Sequence, residues 1–342
     1  MNRIKTLAPA LLSAALFAVA PLTVQAQSNA SLYGMIDLAA GQFQNAGDKK
    51  TSKVESGGMS TSFFGFQGTE DLGDGLKAVF KIEGFLRNDT GSMGRFNGDA
   101  MFARNSYVGL QGKLGGVMIG RNTTPLFVST LIFNAIGDSF GYSPSIRQLF
   151  IPTTGLAFFG DTGWNNSVAY SSPNFGGLSV NLLANVSESA AGATGNNIGG
   201  NVLYFAGPLA ATGAFQQVKN GAFGTPAGFK SQDTWQFGAS YDLTVAKLYG
   251  QYSNVKTSAT VATETKLYGV GVAVPVGLGK VLVQWGDASA DFGNKDVTNK
   301  TLTLAYDYLL SKNTDIYAVV MNDKMTAKAT GNTLAAGIRL KF

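Results

Sequence analysis

The chain has 342 residues, with 26 basic and 21 acidic side chains, no histidine and no cysteine. Lack of cysteine excludes a disulfide scaffold, and the scattered lysines and arginines form no patch for a nucleic acid, so no nucleic-acid partner is expected. A mean hydropathy of +0.08 resembles that of an ordinary soluble protein, yet it is also the average of strands with one lipid face and one water face.

Residues 1–26 read as a secretory signal peptide. Arg3 and Lys5 supply the basic start, Leu11 to Val19 the apolar run, and Val24-Gln25-Ala26 the small residues before a cut after Ala26. The expected mature portion, residues 27–342, then carries 24 basic and 21 acidic residues, a charge of +3. No later run approaches the length of a transmembrane helix. A two-residue rhythm recurs instead, as expected of strands. Leu76, Ala78, Phe80, Ile82, Gly84 and Leu86 alternate with Lys77, Lys81, Glu83 and Arg87. Leu178, Val180, Leu182, Ala184 and Val186 alternate with Ser179, Asn181, Asn185 and Ser187. Trp235, Phe237, Ala239 and Tyr241 do so with Thr234, Gln236, Ser240 and Asp242, and Leu302, Leu304, Tyr306 and Tyr308 with Thr301, Thr303 and Asp307. The C-terminal stretch sets Leu334, Ala336, Ile338, Leu340 and Phe342 against Thr333, Arg339 and Lys341.

Sixteen strands are predicted, near 30–40, 59–69, 76–87, 101–112, 116–121, 164–173, 177–187, 199–206, 210–219, 232–242, 245–254, 265–274, 280–288, 300–309, 313–322 and 332–342. Short connections (Glu70 to Gly75, Gly112 to Gly115, Gly207 to Leu209, Pro275 to Gly279, Leu310 to Asn313) alternate with long polar ones (Asn88 to Asp99, Ser187 to Asn197, Lys219 to Ser231, Asp287 to Asn299). Short turns at one end and long loops at the other describe an all-β chain, a 16-stranded antiparallel transmembrane β-barrel. Lipid offers no partner for an open strand edge, so the sheet must close, and sixteen strands enclose an aqueous lumen.

The longest connection, Arg121 to Trp164, carries Phe127, Leu131, Ile132, Phe133, Ile136, Phe140, Tyr142, Phe150, Ile151, Phe158 and Phe159. Such content belongs out of water, so this third loop is expected to fold inward and narrow the pore. Its apolar side chains either anchor it to the wall, fill a subunit contact or line a path for apolar and aromatic solutes. By parity, Asp37, Lys77, Lys81, Glu83 and Arg87 face the lumen together with Arg104.

Several segments carry a resemblance. Ser31-Leu32-Tyr33-Gly34-Met35-Ile36-Asp37 resembles an opening strand, and Gly65-Phe66-Gln67-Gly68-Thr69-Glu70-Asp71-Leu72-Gly73-Asp74-Gly75-Leu76 resembles a first periplasmic turn. Phe102-Ala103-Arg104-Asn105-Ser106-Tyr107 and Gly120-Arg121 lead towards the long loop. Asn166-Ser167-Val168-Ala169-Tyr170 leaves it, and Leu309-Leu310-Ser311-Lys312-Asn313 is similar to a final turn. Together they resemble the Gram-negative general porins of the β-proteobacterial type. The resemblance implies a homotrimer set in outer-membrane lipid and lipopolysaccharide. It also implies a charged constriction, with Arg104 and Arg121 on the wall and Asp138 or Asp161 as the loop's acidic counterpart. Phe63 and Gly163 stand where relatives carry arginine, and Leu340 where they carry histidine. The expected constriction set is therefore Phe63, Lys81, Glu83, Arg104, Arg121, Asp138 and Asp161, with a weak to modest anion preference.

Other function classes leave less trace. An enzyme of the barrel type needs an activated nucleophile or base, usually built on a histidine pair, and this chain has no histidine or cysteine; carboxylate chemistry stays formally open, but no paired-carboxylate motif stands out. An adhesin or receptor barrel needs a plugged lumen. No cofactor or metal motif is present. The reading is a passive channel for small hydrophilic solutes and ions, with a channel specific for aromatic or apolar acids as the alternative.

Overall fold

The computed structural model describes residues 29–151, 158–186, 196–221, 225–293 and 295–342. The expected leader and parts of four connections (152–157, 187–195, 222–224 and 294) lie outside them. Eighteen ladder segments follow in chain order: β1 (Asn29–Phe43), β2 (Thr51–Ser56), β3 (Phe63–Gly73), β4 (Leu76–Arg87), β5 (Ser92–Met93), β6 (Asn105–Gly112), β7 (Gly115–Thr123), β8 (Gly163–Ser171), β9 (Leu178–Asn185), β10 (Ile198–Ala206), β11 (Leu209–Val218), β12 (Ser231–Asp242), β13 (Lys247–Ser258), β14 (Thr263–Val276), β15 (Gly279–Asp291), β16 (Asp296–Leu309), β17 (Thr314–Met325) and β18 (Gly331–Lys341). Two short helices, α1 (Pro125–Ile132) and α2 (Pro144–Phe150), interrupt them between β7 and β8.

Each strand pairs antiparallel with its neighbours, and β18 pairs with β1 from Met35↔Lys341 to Gln42↔Leu334. The wall has sixteen staves. Segments β2 and β3 form one stave, pairing with the upper and lower halves of β1. The two-residue β5 only hooks onto the end of β4 inside the second loop. Closure satisfies the ladder all the way round, as hydrocarbon requires.

Outward positions are apolar and exposed: Phe66, Phe80, Val108, Ile119, Val168, Leu182, Phe237, Leu304 and Val320 among them. The alternating inward positions are polar but buried, including Gln216, Gln232, Gln236, Gln284, Thr301 and Thr303. What buries them is the third loop. Helix α1 packs on β10, β11 and β12, and α2 on β14, β15 and β16, so the loop runs along the inner wall. Ala135 N donates to Gln284 Oε1 at 2.9 Å, Thr303 Oγ1 to Tyr142 O at 2.7 Å, and Gln148 Nε2 to Asn299 O at 3.0 Å. Leu126, Ile146, Leu149, Phe150 and Phe158 pack together against Ala214, Val255, Leu267, Ala288 and Ala290 of the wall. Each such side chain contributes about 1.5–3 kcal/mol by leaving water. The apolar loop residues therefore anchor the loop.

Both helices start on an amino-acid signal. Thr124 and Ser143 precede prolines, and their hydroxyls accept from Phe127 N and Ile146 N. A hydroxyl cap followed by proline at the first helical position is a favoured helix start.

Three predicted boundaries are corrected. The stave expected over 59–69 joins the ladder only from Phe63, because Asp37 captures the preceding turn: Ser60 N donates to Asp37 Oδ2 at 2.6 Å, and Asp37 N to Ser62 Oγ at 2.9 Å. The strand expected from 101 begins at Asn105, its first residues belonging to the second loop. The loop expected over 287–299 is mostly strand, paired as far as Asp291↔Asp296. There the staves rise beyond the lipid, so the apolar rhythm fades while the hydrogen-bonded ladder continues.

Val320 lies on the outward face opposite Leu304, midway along β17. Val320→Arg is expected to destabilise the folded barrel by about 2–4 kcal/mol, as read by denaturant unfolding in lipid vesicles.

Candidate functional site: the pore constriction

Four of the expected residues meet on one patch of wall. Glu83 on β4 is buried and takes an ion pair from Arg104 Nη1 at 2.6 Å. Tyr33 OH and Asn105 Nδ2 donate to its two carboxylate oxygens. The Arg104 guanidinium lies 4.0 Å from the centre of the Phe63 ring. Lys81 Nζ sits 5.8 Å from the centre of the Tyr33 ring. The register explains the grouping. Gly65 faces Glu83 across β3–β4, Tyr33 faces Gly65 across β1–β3, and Asn105 faces Glu83 across β4–β6. A Cβ on Gly65 would fall 2.7 Å from Glu83 Cγ, so glycine there makes room for the carboxylate.

Arg121 and Asp161 form a second group. Arg121 Nη2 meets Asp161 Oδ2 at 3.1 Å, and its Nη1 donates to Asn165 Oδ1 at 2.8 Å. A register shift between Gly120 and Asn122 displaces Arg121 from the Glu83 patch. Arg95 of the second loop joins them, 2.7 Å from Asp161 and 2.9 Å from Asp99. Two guanidiniums thus balance two carboxylates, and the second and third loops are tied together. Burial raises the Asp161 carboxyl, but Arg95, and then Arg121, outweigh it and hold it below the ordinary carboxylate value. The same balance, with Arg95 alone, holds Asp99 down.

Asp138 stands apart from Arg104 and Arg121. It accepts from Ser60 Oγ at 3.0 Å, and the same hydroxyl accepts from Arg339 Nη1 at 3.0 Å. Arg339 also pairs with Asp307 and Asp315, each at 2.7 Å. Sequence reasoning placed Arg339 on a strand but gave it no part in the site. Its signal lay in the closing register, which sets Asp37, Arg339 and Asp315 directly opposite one another across β1, β18 and β17. Arg95 carried no such signal, because its partner Asp161 is 66 residues away and both sit in loops. Gly163 rests against Arg121, and Leu340 faces lipid on the outer surface.

A sequence profile of the Gram-negative porin family matches residues 10–328. Outer membrane porin protein 32 of Delftia acidovorans is 33% identical over 308 residues, covering 85% of this chain and 83% of its own. An outer membrane porin protein of Bordetella pertussis is 26% identical, covering 97% and 99%. Among solved structures, an anion-selective porin from Comamonas acidovorans superposes with a TM-score of 0.78 at 29% identity, covering 92% of this chain and all of its own. OmpT of Vibrio cholerae in a trimer form gives a TM-score of 0.69 at 16% identity, covering 92% and 99%, a likeness of fold alone.

Because the folded Asp99 and Asp161 carboxyls titrate below their unfolded values, the loop tie is at full strength above the unfolded value of about 4 and is lost as pH falls through the lowered folded values. Hydrogen exchange of the 158–163 backbone, corrected for intrinsic rate, should stay flat from neutral pH to about pH 4 and rise below it. Asp161→Asn should raise that exchange about tenfold or more already at neutral pH.

Proposed function

The chain belongs to the Gram-negative porin family, and from that premise we propose that its lumen carries small hydrophilic solutes and ions with a weak anion preference. It is an outer-membrane β-barrel channel, and its relatives are channels rather than enzymes. The preference rests on one observation: the Arg104 side chain is 32% exposed, whereas its partner Glu83 is 1% exposed. A passing ion meets the cation of the pair, with Lys81 beside it, while the carboxylate lies behind them. In a narrow gap with low-dielectric walls such a field decides which ions gather.

Two features keep the preference small. Phe63 stands where relatives add an arginine, so the wall gains a ring beneath Arg104 instead of another charge. The Arg95–Asp161–Arg121 group is balanced by Asp99, and the carboxylates around Arg339 offset that guanidinium. The aromatic third-loop residues give little support to a path for aromatic acids, since Phe127, Phe150 and Phe158 pack edge to face with one another.

Assembly as a homotrimer, as the resemblance implies, is part of the same proposal. Contact with lipopolysaccharide is supported by the outer rim. Lys256, Lys266, Lys300 and Lys324 occupy outward positions just beyond Tyr252, Tyr268 and Trp285. Aromatic rings at the interface with cations above them suit anionic headgroups.

Reversal potentials across a planar bilayer under a salt gradient test the selectivity. The native protein should favour chloride over potassium weakly, and Arg104→Ala should lower that ratio about two- to fivefold, the effect of roughly 0.5–1 kcal/mol of solvent-screened Coulomb energy. A native channel that strongly favours potassium overturns the proposal.

A further inference from the structure

We propose that a side niche in the lower lumen, beneath α1, binds neutral polyhydroxylated solutes of mono- or disaccharide size. The niche has a volume of about 420 Å³ and is bounded by β6–β10 and by Pro125 and Val128 of the third loop. No aspartate, glutamate, lysine or arginine lines it. In this it differs from two other cavities of the lumen. One is lined by Lys49, Lys53, Glu55 and Arg147, the other by Asp138, Lys247, Asp307 and Arg339.

Some of its polar groups are fixed by partners and others are unspent. Asn201 Nδ2 donates to Pro125 O at 2.8 Å and to Ser129 Oγ at 2.9 Å, and Asn181 Nδ2 donates to Asn201 Oδ1 at 2.8 Å. This chain pins the Asn181 amide and leaves its Oδ1 free to accept. The hydroxyls of Tyr107, Ser171 and Ser179 stand on inward positions of the same staves and make no hydrogen bond among the described residues. Each can donate and accept. Met118, Leu183 and Leu203 supply apolar surface between them.

That combination selects by chemistry. An inorganic ion entering the niche would shed water without gaining an opposite charge, which is unfavourable. A zwitterion meets the same obstacle twice. A sugar presents hydroxyls that donate and accept around an apolar ring face, matching placed hydroxyls, an amide oxygen and the ring of Tyr107. Few convergent polar groups on an otherwise apolar lining are the usual make-up of a small-molecule site.

The test uses the full reconstituted channel, with maltose as the probe and potassium chloride as the carrier. Open-channel current recorded before maltose reads the pore itself, and the added block reads the niche, so the two fail separately. Maltose should reduce current beyond the fall in bulk conductivity, saturating in the millimolar range. Tyr107→Phe and Ser179→Ala each remove one hydroxyl and little volume. Each should raise the half-blocking concentration about fivefold, judged against that variant's own open-channel current. Current that tracks bulk conductivity at every maltose concentration overturns the proposal, as does a block unchanged in both variants.

Discussion

Hydrocarbon has no hydrogen-bonding groups, and that lack governs everything else in this molecule. A sheet placed in it must have no edge, so the first and last strands pair over eight residues to close the cylinder. Closure divides every stave into a face that meets lipid and a face that does not. Sixteen staves then enclose more space than side chains can fill. The third loop occupies much of that space, and what remains open is the channel.

The loop solves a second form of the same problem. A buried loop carries backbone donors and acceptors that need partners. The inner wall supplies them through Gln232, Gln284 and Thr303, while its alanines leave room for leucine and phenylalanine from the helices. Half of the wall is therefore polar in order to hold protein. The other half, around Tyr33, Glu83 and Arg104, is polar in order to face solvent. One alternating pattern serves two purposes, according to what lies opposite.

This double use explains how much the sequence revealed. Strand positions were legible because lipid enforces strict alternation on one face. Lys81 and Glu83 were legible by parity along β4, whereas Arg104, which lies just before β6, was placed by the resemblance. Thr124-Pro125 and Ser143-Pro144 announced two helices, but apolar content dominated the reading of that stretch and both were overlooked. Pairings between loops, such as Arg95 with Asp161, follow no period and were hidden. Phe63 was read as a lost charge. The structure gives it a positive role as the ring on which the Arg104 guanidinium rests.

The tip of the third loop touches parts of the chain that are far apart in order of synthesis. Gly58 O accepts from Gly141 N and Ser139 Oγ, and Tyr142 packs so close to Gly58 that any side chain there would collide with its ring. The same tyrosine meets the ring of Tyr317, whose hydroxyl donates to Asp37. The berth for the tip thus combines residues from the beginning and the end of the barrel, and it exists only once those have come together. The tip can therefore take its seat only as the barrel closes or after it. A substitution that spoils the berth, such as a bulkier residue at position 58, would leave a membrane-embedded cylinder whose bore never acquires its finished width.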